Sequence, residues 1–346
     1  MVAPEVRLSM LDRSRTRVGC PEGAALTHTI ERAVAAERLG YHRFWVAEHH
    51  AVPGIASGAP PVLIGALGAH TSTIRLGSGG VMLPHHQPLV VAEQFLMLDA
   101  LYPGRIDLGL GRSLGFTAPV RRALRHERDE PDTFADDIGE LRDYLDGTGA
   151  VTARPATERQ IPIFVLATGR GLALAAQLGL PVVVGGPMLD SPSLGELLEA
   201  YRNDFRPSAR APEPSVTVSV DVLVADTDAE ARDLALPEAW AMARSRQTGE
   251  FGALEPVGTI RDQAWPNQVR ERVEAHLART TAGSPASVRS RLDRLAERTG
   301  AEELLTFTST FDRDAQLASD AALAGIMTTP MTTQVMTSRT PAPTRS

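Results

Sequence analysis

The sequence predicts an α/β protein folded as a (β/α)8 TIM barrel, and three observations carry that prediction. Eight short apolar runs alternate with longer helical patterns along the chain, the signature of repeated βα units. Two of these runs pass directly into polar residues, at Glu48-His49-His50 and at Gly111-Arg112. Parallel sheets of α/β proteins build their sites at such strand ends. The length, 346 residues, suits one barrel or two ordinary domains.

The strands are expected near 6–11, 43–47, 74–81, 106–109, 163–167, 182–184, 216–225 and 303–307. The first helix opens near Pro21 and closes at Gly40, with Leu26, Ile30 and Val34 on one face. Proline at the start and glycine past the end is the usual helix asymmetry. A late helix begins at Ser284-Pro285, an N-cap followed by proline, and sets Val288, Leu292 and Leu295 on one stripe. Two connections are longer than a plain barrel needs. One covers 115–160, after strand 4; the other covers 226–283, after strand 7, and contains Trp240 and Trp265. Each reads as a lid or substrate wall, or as surface elaboration. A single barrel domain over 1–327 is expected, followed by 328–346 (TTPMTTQVMTSRTPAPTRS), whose polar, aperiodic composition predicts disorder.

Composition removes several function classes. Net charge is -7, which argues against nucleic-acid and anionic-membrane partners. One cysteine, Cys20, excludes an internal disulfide framework and a cysteine-rich zinc site. No run of 18 apolar residues occurs, and Glu5 and Arg7 stand where a signal peptide needs an apolar core, so the cytoplasm is the expected location. All 35 basic residues are arginine. Without lysine there is no Schiff-base chemistry and no P-loop, and any phosphate must be held by arginine, hydroxyl or backbone N–H groups.

The candidate residues sit at strand ends. Glu48, His49 and His50 alternate in direction along an extended chain, so they cannot all grip one metal there. No HxH or HExxH spacing exists, and no metal is expected. An acid/base histidine and a hydrogen-bonded strand-end histidine are the two readings of this triplet. Gly79 and Gly80, within Gly77-Ser78-Gly79-Gly80, read as a backbone face for a flat ligand or as a β-bulge. Gly109-Leu110-Gly111-Arg112-Ser113-Leu114-Gly115 imitates a dinucleotide fingerprint but is one residue too long and follows the wrong strand. Thr168-Gly169-Arg170, between a strand and a helix, offers a hydroxyl, backbone N–H groups and a guanidinium, the parts of a phosphate cradle. His85 and His86 read as pocket rim, substrate contact or solvated loop.

Taken in order, WVAEHH, GSGGVMLP, VVAEQF and YPGRIDLGLGR resemble the bacterial-luciferase-like flavin-dependent monooxygenases. The resemblance implies a TIM-barrel enzyme using reduced FMN supplied by a separate NAD(P)H:flavin reductase. Oxygen would be activated as a 4a-hydroperoxyflavin and used to hydroxylate, epoxidise or Baeyer-Villiger oxidise an organic substrate, such as a polyketide-type natural product. It further implies that His49 lies beside the flavin, with Glu48 and His50 supporting it. A non-proline cis peptide at Gly79–Gly80 under the isoalloxazine is implied as well. Arg112 and the Thr168-Gly169-Arg170 turn would meet the flavin phosphate. A homodimer is implied, packed through helices of the 61–101 segment, where Ala66, Gly68, Ala69 and Ala92 permit close approach. The alternatives are a deazaflavin-dependent dehydrogenase on the same fold, a non-catalytic flavin-binding protein and a metal-dependent barrel hydrolase.

Overall fold

The computed structural model describes residues 6–115, 117–125 and 131–328. The strands are β1 (Arg7–Asp12), β2 (Arg43–Val46), β3 (Arg75–Ser78), β4 (Val81–Met82), β5 (Ile106–Gly111), β6 (Ile163–Leu166), β7 (Val182–Gly185), β8 (Val216–Val224), β9 (Thr281–Gly283) and β10 (Glu303–Phe307). Eight of them form a closed parallel ring in the order β1-β2-β3-β5-β6-β7-β8-β10, and β10 pairs with both β1 and β8. This is the expected (β/α)8 barrel. The predicted third strand is divided at Gly79-Gly80 into β3 and β4, both paired with β5, and the Gly79–Gly80 peptide is cis.

The strands are mostly apolar on their outer faces because helices cover them, with Asp12 of β1 an ion-paired exception. The main core lies between strands and helices and includes Phe44, Leu76, Leu108, Val165 and Val218. A smaller core of Leu11, Trp45, Phe164, Val183 and Leu305 fills the barrel interior. At the N-terminal end of the barrel, Arg43 replaces apolar filling. Its guanidinium lies 2.7 Å from Asp107 of β5 and 2.7 Å from Glu303 of β10. Trp45 Nε1 donates to the same Asp107 at 3.2 Å.

The helices are α1 (Ala24–Arg38), α2 (Pro60–His70), α3 (Pro88–Leu101), α4 (Ala118–Ala123), α5 (Phe134–Asp146), α6 (Arg170–Leu178), α7 (Leu194–Asn203), α8 (Asp228–Thr248), α9 (Val257–Arg261), α10 (Asn267–Arg279), α11 (Pro285–Thr299) and α12 (Arg313–Thr328). Helix α11 starts as expected, with Ser284 before Pro285 and Val288 and Leu292 buried. Helix α1 begins three residues after Pro21, at Ala24, and its most buried positions include Thr29 and Arg32. Arg32 needs that burial: it bonds Asp12 at 2.9 Å and Asp320 at 2.7 Å, tying α1 to β1 and α12. Thr328 is the last residue of α12; the remainder of the expected tail, 329–346, lies outside the described residues.

The two long connections differ in kind. In the first, α5 buries Phe134, Ile138, Leu141 and Leu145 in the main core, so α5 is the barrel's own outer helix and the true addition is short. The second, with α8, α9 and α10, has a separate core of Ala235, Ala239, Trp240, Ile260, Val269 and Val273. Trp240 and Trp265 stack there at 5.2 Å. This satellite is fastened to the loop after β1 by an Arg17–Leu254 bridge and a Leu254 N–H to Thr16 carbonyl bond of 2.9 Å.

Candidate active site

The predicted residues converge because their strands are neighbours. β2, β3, β5 and β6 are adjacent in the ring. Met82 pairs with Gly111, and Leu110 with Val165. The residues that follow, Glu48 to His50, Gly79 to Met82, Arg112 and Thr168 to Arg170, therefore form one arc at the C-terminal mouth of the barrel.

Glu48 is buried beneath this arc, 3% exposed, and organises it. Its Oε1 accepts from His50 Nε2 at 2.6 Å and His86 Nε2 at 2.7 Å, while Oε2 accepts from the Met82 N–H at 2.9 Å. Burial works to raise the Glu48 carboxyl, and the bonds from His86, Met82 and His50 outweigh it and hold it below the usual range. An ionised carboxylate has no proton to give, so both histidines present Nε2–H to it. The donor atoms of Glu48, His50 and His86 lie within 4.8 Å of one another, a set with divalent-metal chemistry, but each is already engaged by another member. Glu48 and His50 share a side, and the third donor, His86, comes from beyond β4.

His49 faces the other way, toward a cavity of about 800 Å³. Its N–H donates to the Ser57 carbonyl at 2.9 Å, fixing the backbone. Burial, followed by the Arg13 and Arg15 guanidiniums, pushes its imidazole down to about 4. His49 is therefore neutral near pH 7, able to accept a proton or donate its ring N–H. The cavity wall is mostly apolar. Val52, Pro53 and Ile55 come from the loop after β2; Pro119 and Val120 come from α4. Met242 and Phe251 come from the end of α8 and the residues after it. Both long connections thus supply residues to the cavity wall. His50 also lines the cavity, and its ring meets His85 edge-on at 6.5 Å. His85 and His86 are both half-buried, His85 against the His50 ring and His86 bonded to Glu48.

The glycines of the arc differ in what surrounds them. A Cβ on Gly79 would lie 2.7 Å from Leu11 Cδ1, and one on Gly80 would lie 2.8 Å from the Gly109 carbonyl oxygen. Neighbouring protein atoms exclude a side chain at both positions. Gly169 contrasts with them: its φ is +42°, and nothing stands within 4 Å of a Cβ there. It caps α6, where the Gly171 N–H is taken by the Thr168 carbonyl at 2.8 Å. Arg170 is exposed and begins the helix. Arg112 is half-exposed and ion-paired with Asp132. Two guanidiniums, a hydroxyl and a helix N-terminus at adjacent strand ends fit a phosphate-bearing flavin.

Arg13, Arg15 and Glu238 were not singled out by the sequence. Arg13 Nη2 donates to Glu238 Oε1 at 2.7 Å, and Arg15 Nε to Glu238 Oε2 at 2.9 Å. Burial would raise the Glu238 carboxyl, yet Arg13 and Arg15 hold it down at about 2. The run DRSRTR directly after the first strand was the available signal.

The family model for luciferase-like monooxygenases matches residues 6–303. The chain belongs to the luciferase-like monooxygenase family. It is 40% identical over 324 residues to a luciferase-like monooxygenase of Escherichia coli K12, covering 92% of this chain and 96% of that one. It is 45% identical over 187 residues to the N-acetyl-S-alkylcysteine monooxygenase of Bacillus subtilis, a match spanning 51% of this chain and 56% of that one. Among solved structures, apo-MsnO8 superposes with a TM-score of 0.84 at 36% identity, covering 94% of this chain and 98% of that one. Membership makes this luciferase-like chain a flavin-dependent monooxygenase, acting on a small molecule with O2. Among the described residues no helix is long and apolar enough to cross a membrane.

Proposed function

We propose that the protein binds reduced FMN, delivered by a separate NAD(P)H:flavin reductase, and oxygenates an organic substrate held in the cavity beside His49. The observation that carries this reading is a neutral histidine at the barrel mouth, facing an apolar cavity of about 800 Å³, on neighbouring strand ends with Arg112 and the Thr168-Gly169-Arg170 turn. Bound reduced FMN supplies the oxygen activation. Arg112, the Thr168 hydroxyl and the α6 N-terminus, with Arg170 beside it, hold the phosphate. Gly79, Gly80 and Gly111 form the backbone floor. Val52, Ile55, Met242 and Phe251 exclude water from the reacting centre. His49 moves a proton at its imidazole while Glu48, through His50 and His86, keeps the surrounding wall in register.

The test mixes the anaerobic protein with reduced FMN and then with oxygen. Bound flavin should reoxidise more slowly than free flavin, and a substrate should receive one atom of labelled oxygen. Reoxidation at the free-flavin rate, with no FMN affinity, would sink the proposal; binding of a deazaflavin instead would replace it with a dehydrogenase. His49→Ala should lower oxygenation by roughly 10²–10⁴-fold, the range for losing an acid/base group, and leave FMN affinity within twofold. Unchanged product formation would remove His49 from the mechanism.

A further inference from the structure

The loop leaving β1 carries more positive charge than its surroundings offset. Arg13, Arg15, Arg17 and Arg32 are largely buried together, and the carboxylates among them are Asp12, Glu238 and Asp320. Asp12 and Asp320 are both committed to Arg32. Arg17 is held by neutral groups, the Phe311 and Thr310 carbonyls and Gln316. Glu238 alone must serve both Arg13 and Arg15. One guanidinium charge is left over. Buried charges are stable when paired, so the surplus calls for an anion.

Unused donors accompany that surplus. Arg13 Nε and Arg15 Nη2 are buried N–H groups without an acceptor among the described residues. The Arg15 side chain is only 4% exposed. Aromatic rings fix both guanidiniums: Phe307 lies 4.9 Å from Arg13 and Phe251 lies 4.1 Å from Arg15. Arg13 also lines the apolar cavity next to His49. The exposed Arg246 and Glu250 also line it and carry opposite charges, so the surplus charge on its wall is that of Arg13, with Arg15 behind it sharing Glu238.

We propose that Arg13, backed by Arg15 and steadied by Glu238, is an anion subsite in the cavity wall that takes the carboxylate of an organic acid. The apolar part of that acid lies along Val52, Ile55, Met242 and Phe251. Arg13 is then a specificity-determining residue: it selects acids over neutral molecules of the same shape. The assignment rests on the reading of the cavity as substrate space.

A matched pair of probes, octanoate and octanamide, tests it by calorimetric titration of the FMN-loaded full chain. Octanoate should bind about tenfold tighter or more, the worth of a charge-assisted hydrogen bond over a neutral one. Arg13→Gln should abolish the preference, and Arg13→Lys should retain part of it. Arg13→Gln leaves Arg15 and Glu238 as a balanced pair, so the variant should fold, which its thermal unfolding verifies. Equal binding of acid and amide, no acid binding, or an acid preference that survives Arg13→Gln would each overturn the subsite. FMN affinity is titrated separately. A loss on Arg13→Gln as large as the loss of octanoate would assign the guanidinium to the cofactor and overturn the proposal too. If the wild-type chain binds no FMN, the monooxygenase reading fails, and the same comparison in flavin-free protein still decides the subsite.

Discussion

His49 and Arg112 are legible as candidates in the sequence, but their electrostatic setting is not. The imidazole of His49 is depressed to about 4, against 6.5 for the free group, by burial and by Arg13 and Arg15. Its lowered pKa has two consequences of known sign. The unfolded chain takes up the proton first, so stability is complete above about pH 6.5 and is lost as pH falls toward about 4. The neutral imidazole also persists below pH 6, so the acid limb of kcat should lie well under 6.5 and should rise in Arg13→Gln, which removes one repelling charge. A wild-type limb at 6.5 would show that a different group titrates. Arg112→Ala should weaken FMN affinity by roughly tenfold or more, since a charge-assisted phosphate bond is lost. Unchanged FMN affinity would remove Arg112 from the cradle. Arg13 and Arg15 escaped the sequence reading because their partner Glu238 is 225 and 223 residues away. Charge pairing over that distance leaves no local pattern, whereas a strand ending in Glu-His-His does.

The eight barrel strands were legible because each is a short apolar run bounded by helical periodicity, and burial on both faces demands that pattern. The connections were not, since length alone cannot separate an insertion from a displaced barrel helix. Phe134, Ile138, Leu141 and Leu145 recur with helical spacing and mark α5 as a core helix once the acidic and basic segment before it is set aside. The α8 satellite is a true addition, and Glu238 is its electrostatic anchor to the barrel. Glu238→Gln would leave two buried guanidiniums facing each other and should cost about 3–5 kcal/mol, the range for breaking a buried pair. Glu274→Gln, which removes the exposed partner of Arg232 on α10, should cost no more than about 1 kcal/mol. Denaturant unfolding of both variants checks the contrast; equal small losses would mean that water reaches the Glu238 cluster. Acid pH should mimic the first variant. The Glu238 carboxyl is lowered to about 2, so its stabilisation is present above its ordinary value of 4.5 and is lost as pH falls through about 2.

At the scale of the whole molecule, α2 is almost wholly apolar and α3 is interrupted only by Glu93, Gln94 and Asp99, although each has a face away from the core. Val62 is 76% exposed, Leu101 63%, Met97 54% and Val90 44%. Clustered exposed apolar groups on adjacent helices mark an association surface. Two of the small residues of this segment face inward instead. Ala92 is buried, and Gly68 makes room for Tyr102, whose ring would lie 2.2 Å from a Cβ there. Tyr102 then donates to the Gly65 carbonyl at 2.7 Å and locks α2 to the end of α3. The two helices thus form a preassembled pair that offers Val62, Val90, Met97 and Leu101 outward. A second copy of the chain can cover this patch by a two-fold interface, in which the same residues meet their equivalents. Light scattering should find a homodimer at micromolar concentration. The double substitution Val62→Glu and Leu101→Glu should convert it to a monomer with unchanged helical content, because both side chains already face solvent within one chain. A monomeric wild-type protein, or a dimer indifferent to both charges, would move the association surface elsewhere or abolish it. Glu48, on the β2 strand end that precedes α2, accepts from Met82 and His86, which lie between α2 and α3. The loop that joins α2 and α3 therefore carries part of the candidate site, so the exposed apolar patch and that site are linked through it.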